Sequence, residues 1–222
     1  MTSYVPLVTV VDSDVPTRAA LVSLIRSAGW TARAFASARE FLSCPRLLIP
    51  GCLVLEVALP DLDGLEVQHR IADRAEMPII FMTGQLDVPT TVRAMKAGAF
   101  EFMTKPFRDT AMLSAIGSGI EHSRIVLSRE NELQSLHERY ESLSCREREV
   151  MALVVRGLMN KVIAAQLGIS EVTVKAHRGR MMLKMRTRSL AELVTAATRI
   201  KTNVQSPWLQ SPHTVLPHEQ EY

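Results

Sequence analysis

Four apolar runs in the first half of the chain each end in a residue able to do chemistry. "VVDSD" puts Asp12, Ser13 and Asp14 at the end of the first run, and "CLVLE" ends in Glu56. "IIFMT" ends in Thr83, and "FEFMTKPF" delivers Lys105 followed by proline. Carboxylates, a hydroxyl and an ammonium gathered at one point suit a phosphoryl group with Mg²⁺. The acids hold the hard cation, while hydroxyl and ammonium neutralise phosphate oxygens. Singly, each of these residues is ordinary; their order, all at strand ends, gives the set its weight. A second set lies near residue 175, where "SEVTVKAHRGR" places Lys175, Arg178 and Arg180 on one predicted helix. That chemistry suits a polyanion.

The first set has to be positioned by alternating elements. "VPLVTVV" reads as a buried strand, "VPTRAALVSLIRSAG" as a helix closed by Gly29, and "WTARAF" as an edge-like strand. "SAREFLS" reads as a short helix with Ser37 as N-cap and Glu40 at the capping-box position. Strands "CLVLEV", "MPIIFMTG" and "FEFMT" follow, separated by the helices "GLEVQHRIADR" and "VPTTVRAMKAGA", with "DTAMLSAIGSGIEH" after the last. Short, near-continuous apolar strands alternating with helices predict a doubly wound α/β fold with a five-stranded parallel sheet. In such folds, groups at the strand C-termini converge on one crevice.

Residues 123–142 are polar and helix-prone, with Val126, Leu133, Leu136, Tyr140 and Leu143 at heptad-like spacing. Two readings stand side by side: a helix lying on its own protein, or a dimer-forming signalling helix. Residues 143–203 show helical patterns and no strand. Ser144 with Glu147 forms a capping box for the first helix, Asn160 caps the second, and Gly168 turns into a third capped by Ser170. Helix, short glycine turn and basic helix make a helix-turn-helix, an all-α four-helix module. Val174, Met181 and Met185 share its inner face as core filler. Lys175, Ala176, Gly179 and Arg180 share the opposite face, with Thr173, His177 and Arg178 beside them and Lys161 at the start of the second helix. Basic side chains there suit guanine edges or phosphates, and the alanine methyl suits thymine.

The net charge of +3 is unevenly shared: residues 1–142 carry −3 and residues 143–201 carry +8. A basic module attached to a mildly acidic one points to double-stranded DNA as partner. No run approaches the roughly 20 apolar residues of a membrane span, and the N-terminus meets acids too early for a secretory signal, so a cytoplasmic protein is expected. Cys44, Cys52 and Cys145 have no metal-type spacing and are expected to be reduced, partly buried thiols. Residues 204–222, with three prolines, are expected to be disordered. A flavodoxin-like enzyme is disfavoured, because the first strand is followed by no glycine-rich phosphate loop and no nucleophile–base pair stands at motif spacing.

"LPDLDG", "MKAGA" and "KPF" give residues 1–122 a resemblance to the receiver domain of two-component response regulators. "SCREREV", "GLMNKVIAAQLGIS", "VTVKAHR" and "SLAELVTAA" give residues 143–203 a resemblance to the LuxR-type helix-turn-helix. Receiver, linker helix at 123–142 and helix-turn-helix, in that order, resemble the NarL/FixJ response regulators. The resemblance implies a DNA-binding transcription regulator rather than an enzyme. It implies a homodimer, a sensor histidine kinase upstream and RNA polymerase as a further partner. It also implies a phosphoaccepting Asp after the third strand, an acidic pair after the first, a cis Lys-Pro bond, and a switching aromatic at Phe102, for which a fixed core residue is the alternative.

The sequence departs from that pattern twice. Glu56 stands at the acceptor position and Ser13 at a metal-ligand position. Glutamate extends the carboxylate by one C–C bond, about 1.5 Å, whereas catalytic geometry tolerates about 0.5 Å. Loss of a carboxylate at 13 weakens an octahedral Mg²⁺ site, leaving Asp12 and Glu56 as its candidate ligands. A pseudo-receiver acting without phosphorylation is expected. Either Glu56 imitates the phosphorylated state by reaching Lys105, with Thr83 turning inward, or the pocket has decayed.

Overall fold

The computed structural model describes residues 5–85 and 87–203. Strands β1 (Leu7–Val11), β2 (Thr31–Phe35), β3 (Gly51–Glu56), β4 (Ile79–Thr83) and β5 (Glu101–Thr104) pair in parallel in the order β2-β1-β3-β4-β5. Helices α1 (Val15–Ser27), α2 (Ala38–Leu42), α3 (Gly64–Arg70), α4 (Val88–Lys96) and α5 (Asp109–Glu141) connect and follow them. The central strands β3 and β4 read as continuous apolar runs because each face meets a different core. Leu53, Leu55, Ile79 and Phe81 face one cluster with Val67, Ile71 and Ala94. Their neighbours Cys52, Val54, Ile80 and Met82 face the other, with Leu21, Ile25, Met112 and Ile116. Period-2 alternation therefore distributes side chains between two cores rather than between core and water.

The connections are fixed by short-range bonds. Asp14 caps α1 by accepting from the Thr17 N–H at 2.9 Å, and Ser37 caps α2 through the Glu40 N–H. The Glu40 carboxylate accepts from the Ala36 N–H, one residue before the position a standard capping box uses. Gly51 opens β3 where backbones nearly touch: a Cβ there would stand 2.0 Å from the Leu7 carbonyl oxygen.

The two helical stretches expected on either side of residue 122 form a single 33-residue helix, α5. Ser123 anchors this helix to the sheet. It is fully buried, donates to the Glu76 carbonyl at 2.5 Å and accepts from the Gly51 N–H at 3.1 Å. The chain divides into two compact units at residues 130/131, inside α5.

In the second unit, α6 (Cys145–Val154), α7 (Asn160–Leu167), α8 (Glu171–Met185) and α9 (Leu190–Asn203) enclose Val150, Ile163, Val174, Met181, Met185 and Leu193. Leu136 and Leu143 are buried in that same core, so these two heptad positions pack on their own unit. Ser144 and Glu147 form a complete capping box. Asn160 differs from expectation. The N-cap of α7 is Met159, which makes no side-chain cap bond. Asn160 Oδ1 instead accepts from the Arg178 guanidinium at 3.1 Å, a charged donor that a cap position facing water would lack. Gly168 takes a left-handed conformation with φ 65° at the turn.

Among the described residues, no helix is long and apolar enough to cross a membrane. Cys52 is buried, and desolvation pushes its thiol up to about 12. Cys145 is exposed, contrary to its expected partial burial, because it opens α6 at the surface. The expected disordered tail at 204–222 lies outside the described residues.

Candidate functional site

At the C-terminal end of the sheet, Asp12, Glu56 and Thr83 are buried and Lys105 is mostly covered. β1 and β3 are neighbours, and the chain order reverses between them, so their ends open the crevice. Lys105 Nζ reaches Asp12 Oδ2 at 2.7 Å and Glu56 Oε2 at 2.5 Å. Glu56 Oε1 accepts from the Ala58 N–H at 3.2 Å. Asp12 Oδ1 accepts from the Asp14 N–H at 2.8 Å, and the Asp12 carbonyl accepts from Arg18 at 2.7 Å. Desolvation works to lower the pKa of Lys105, but its hydrogen bonds and charge contacts with Asp12 and Glu56 prevail and hold it above the ordinary lysine value. The ammonium is thus fixed as a cation between two carboxylates.

Other expected members behave differently. Ser13 is exposed. The Asp14 carboxylate is turned to Thr17, whose hydroxyl and N–H hold it below the usual carboxylate range. The Thr83 hydroxyl bonds within its own loop, to the Gln85 carbonyl and N–H at 3.2 Å each, and does not turn to Glu56. Phe102 is half-buried with its ring 6.1 Å from that of Phe81. The Lys105–Pro106 bond is cis. Arg18 and the Ala58 amide were not anticipated. A backbone amide leaves no trace in residue identity, whereas Arg18 is marked by its place one turn into α1.

This donor set does not fit Mg²⁺. Asp12 and Glu56 both face Lys105, Asp14 caps a helix, and residue 13 offers a hydroxyl to solvent. An octahedral cation would meet an ammonium where it needs carboxylate oxygens. Among the described residues, no group of three or more His, Cys, Asp or Glu forms a metal site.

On the helix-turn-helix, Lys175, Ala176, Gly179 and Arg180 lie exposed along one face of α8, and Lys161 is exposed at the start of α7. Thr173 and Arg178 are occupied internally: the Thr173 hydroxyl lies 2.8 Å from that of Ser170, and Arg178 holds Asn160. His177 is half-buried, and its Nδ1 finds no hydrogen-bond partner among the described residues. Lys184, near the end of α8, donates to Glu147 at 2.6 Å and to the Ser142 carbonyl at 3.0 Å. It was not singled out from sequence, because it lies beyond the basic stripe.

Comparison with known proteins assigns a family to each half of the chain. Residues 8–117 match the family described as "Response regulator receiver domain", and residues 141–197 match "Bacterial regulatory proteins, luxR family". Nodulation protein W of Bradyrhizobium diazoefficiens is 47% identical over 189 residues, covering 85% of this chain and 83% of that protein. The transcriptional regulatory protein FixJ of the same organism is 41% identical over 191 residues, covering 86% and 93%. The solved structure of the response regulator StyR aligns with a TM-score of 0.81 at 43% identity, covering 88% of this chain and 100% of that one. A sheet in the order β2-β1-β3-β4-β5 within the receiver match is followed by a LuxR-type helix-turn-helix, and the chain belongs to the NarL/FixJ family of response regulators.

Proposed function

We propose that this response regulator controls transcription without being phosphorylated. One observation carries the reading: both oxygens of Glu56 are engaged, one by Lys105 and one by the Ala58 N–H. The longer carboxylate occupies the donors that would otherwise stabilise a phosphoryl group. Asp12 shares the same ammonium, so Lys105 is already paired with two carboxylates. Imitation of the phosphorylated state is partial, since Thr83 stays with its own loop.

The functional divisions are residues 1–122 as pseudo-receiver, 123–142 as linker and 143–203 as DNA-binding module. The protein acts in the cytoplasm as a homodimer, with Lys161, Lys175, Ala176, Gly179 and Arg180 meeting duplex DNA and RNA polymerase as a further partner. Thr173, His177 and Arg178 support that face from beside it. A second reading has some support, because Asp12, Thr83 and Lys105 are retained: a sensor histidine kinase phosphorylates the chain in the ordinary way.

Affinity for an operator selected from random duplexes separates the two. The natural chain and the double variant Ser13→Asp/Glu56→Asp are each measured with and without a small-molecule phosphodonor and Mg²⁺. The proposal expects a response only from the double variant. A response from the natural chain favours the kinase-driven reading.

A further inference from the structure

An apolar stripe runs along the exposed face of α8, alongside its basic residues. Val172, the second residue of the helix, is 75% exposed. Ala176 is exposed one turn later, and Gly179 follows with no atom within 4 Å of where a Cβ would stand. Spacings of four and three keep these positions on one face. A lone exposed valine is unremarkable. Here, however, valine and glycine each weaken the helix relative to alanine, and neither belongs to the core.

Charge complementarity selects the occupant. Lys175 and Arg180 flank the stripe, and residues 143–201 carry a net +8. α8 contains no Asn or Gln, so the paired hydrogen bonds that read adenine have no donor on this helix. Cations read guanine edges or phosphates. What remains for a T·A pair is the thymine C5-methyl, which takes apolar contacts. Val172 and Ala176 are separated by about 6 Å of helix rise, close to two base-pair steps at about 3.4 Å each. Gly179 leaves the helix free to approach the groove floor.

We propose that Val172 is a base-reading residue: its methyl groups and that of Ala176 pack on two thymine methyls about two steps apart in each half-site. This rests on the DNA-binding reading of α8.

The test begins with an operator selected from random duplexes by the full chain. Each thymidine is then replaced singly by deoxyuridine, which removes the methyl and leaves the pairing edge intact. Two positions per half-site are expected to weaken wild-type binding by about fourfold each, the effect of one buried methyl-sized group. Val172→Ala is expected to lose sensitivity at one of the two positions and keep it at the other, which shows that the variant still folds and docks. Uniform silence of deoxyuridine with wild type overturns the proposal, as does a Val172→Ala variant as sensitive as wild type at both positions. Failure to enrich any duplex removes the DNA-binding reading itself, an outcome distinct from an enriched operator that ignores its methyls.

Discussion

At the scale of single residues, the pocket turns on where Glu56 places its two oxygens. A buried carboxylate bonded to an ammonium and to a backbone N–H is costly to unpair, because the remaining groups keep their desolvation penalty. Glu56→Gln is expected to destabilise the receiver by about 1–3 kcal/mol in urea unfolding at neutral pH. The pH dependence follows from Lys105. Its folded pKa lies above the ordinary 10.5, so its contribution is complete below 10.5 and fades as pH rises through the folded value. The gap between wild type and Glu56→Gln should therefore close in strong alkali; a gap that stays constant there would exclude Lys105 as its source. The convergence of Asp12, Glu56 and Lys105 was legible in the sequence. The direction of the Thr83 hydroxyl was not, because two backbone groups of Gln85 compete for it and residue types carry no record of loop backbone.

At the scale of elements, period and caps did most of the specifying. The central strands β1, β3 and β4 were recognisable because their two faces enter two cores, and Ser144 with Glu147 marked the start of α6. Asn160 misled because Arg178 lies 18 residues away in sequence and adjacent in space. The burial of Ser123 in α5 was hidden for a similar reason: it is fixed by Glu76 and Gly51, both distant in sequence. Two tests belong here. Glu147 is held below its ordinary 4.5 first by the Lys184 hydrogen bond and then by the Ser144 N–H. Its contribution is thus present above 4.5 and lost as pH falls through the folded value. Glu147→Gln should cost the second unit about 1–2 kcal/mol at neutral pH, with the difference vanishing in acid; thermal melts at both pH values check it. Gly51→Ala should destabilise the sheet by about 1–3 kcal/mol or more, since the nearest obstacle is the Leu7 backbone rather than a mobile side chain. An unchanged melting temperature would contradict that packing.

At the scale of the whole molecule, charge divides as the units do, with −3 over residues 1–142 and +8 over residues 143–201. This asymmetry was visible in the sequence and predicts the strength of the salt effect on DNA binding. Neutralising about six phosphates should reduce operator affinity by about 10³-fold between roughly 50 and 200 mM salt, read by fluorescence anisotropy; a flat profile would remove the basic face from the interface. In the other unit Glu56 holds Lys105, and the proposed function is that this pairing stands in for phosphorylation. Intact mass after incubation with a small-molecule phosphodonor and Mg²⁺ at neutral pH tests it most directly. An unchanged mass is expected; a stoichiometric gain of about 80 Da, the mass of one added phosphoryl group, would contradict it.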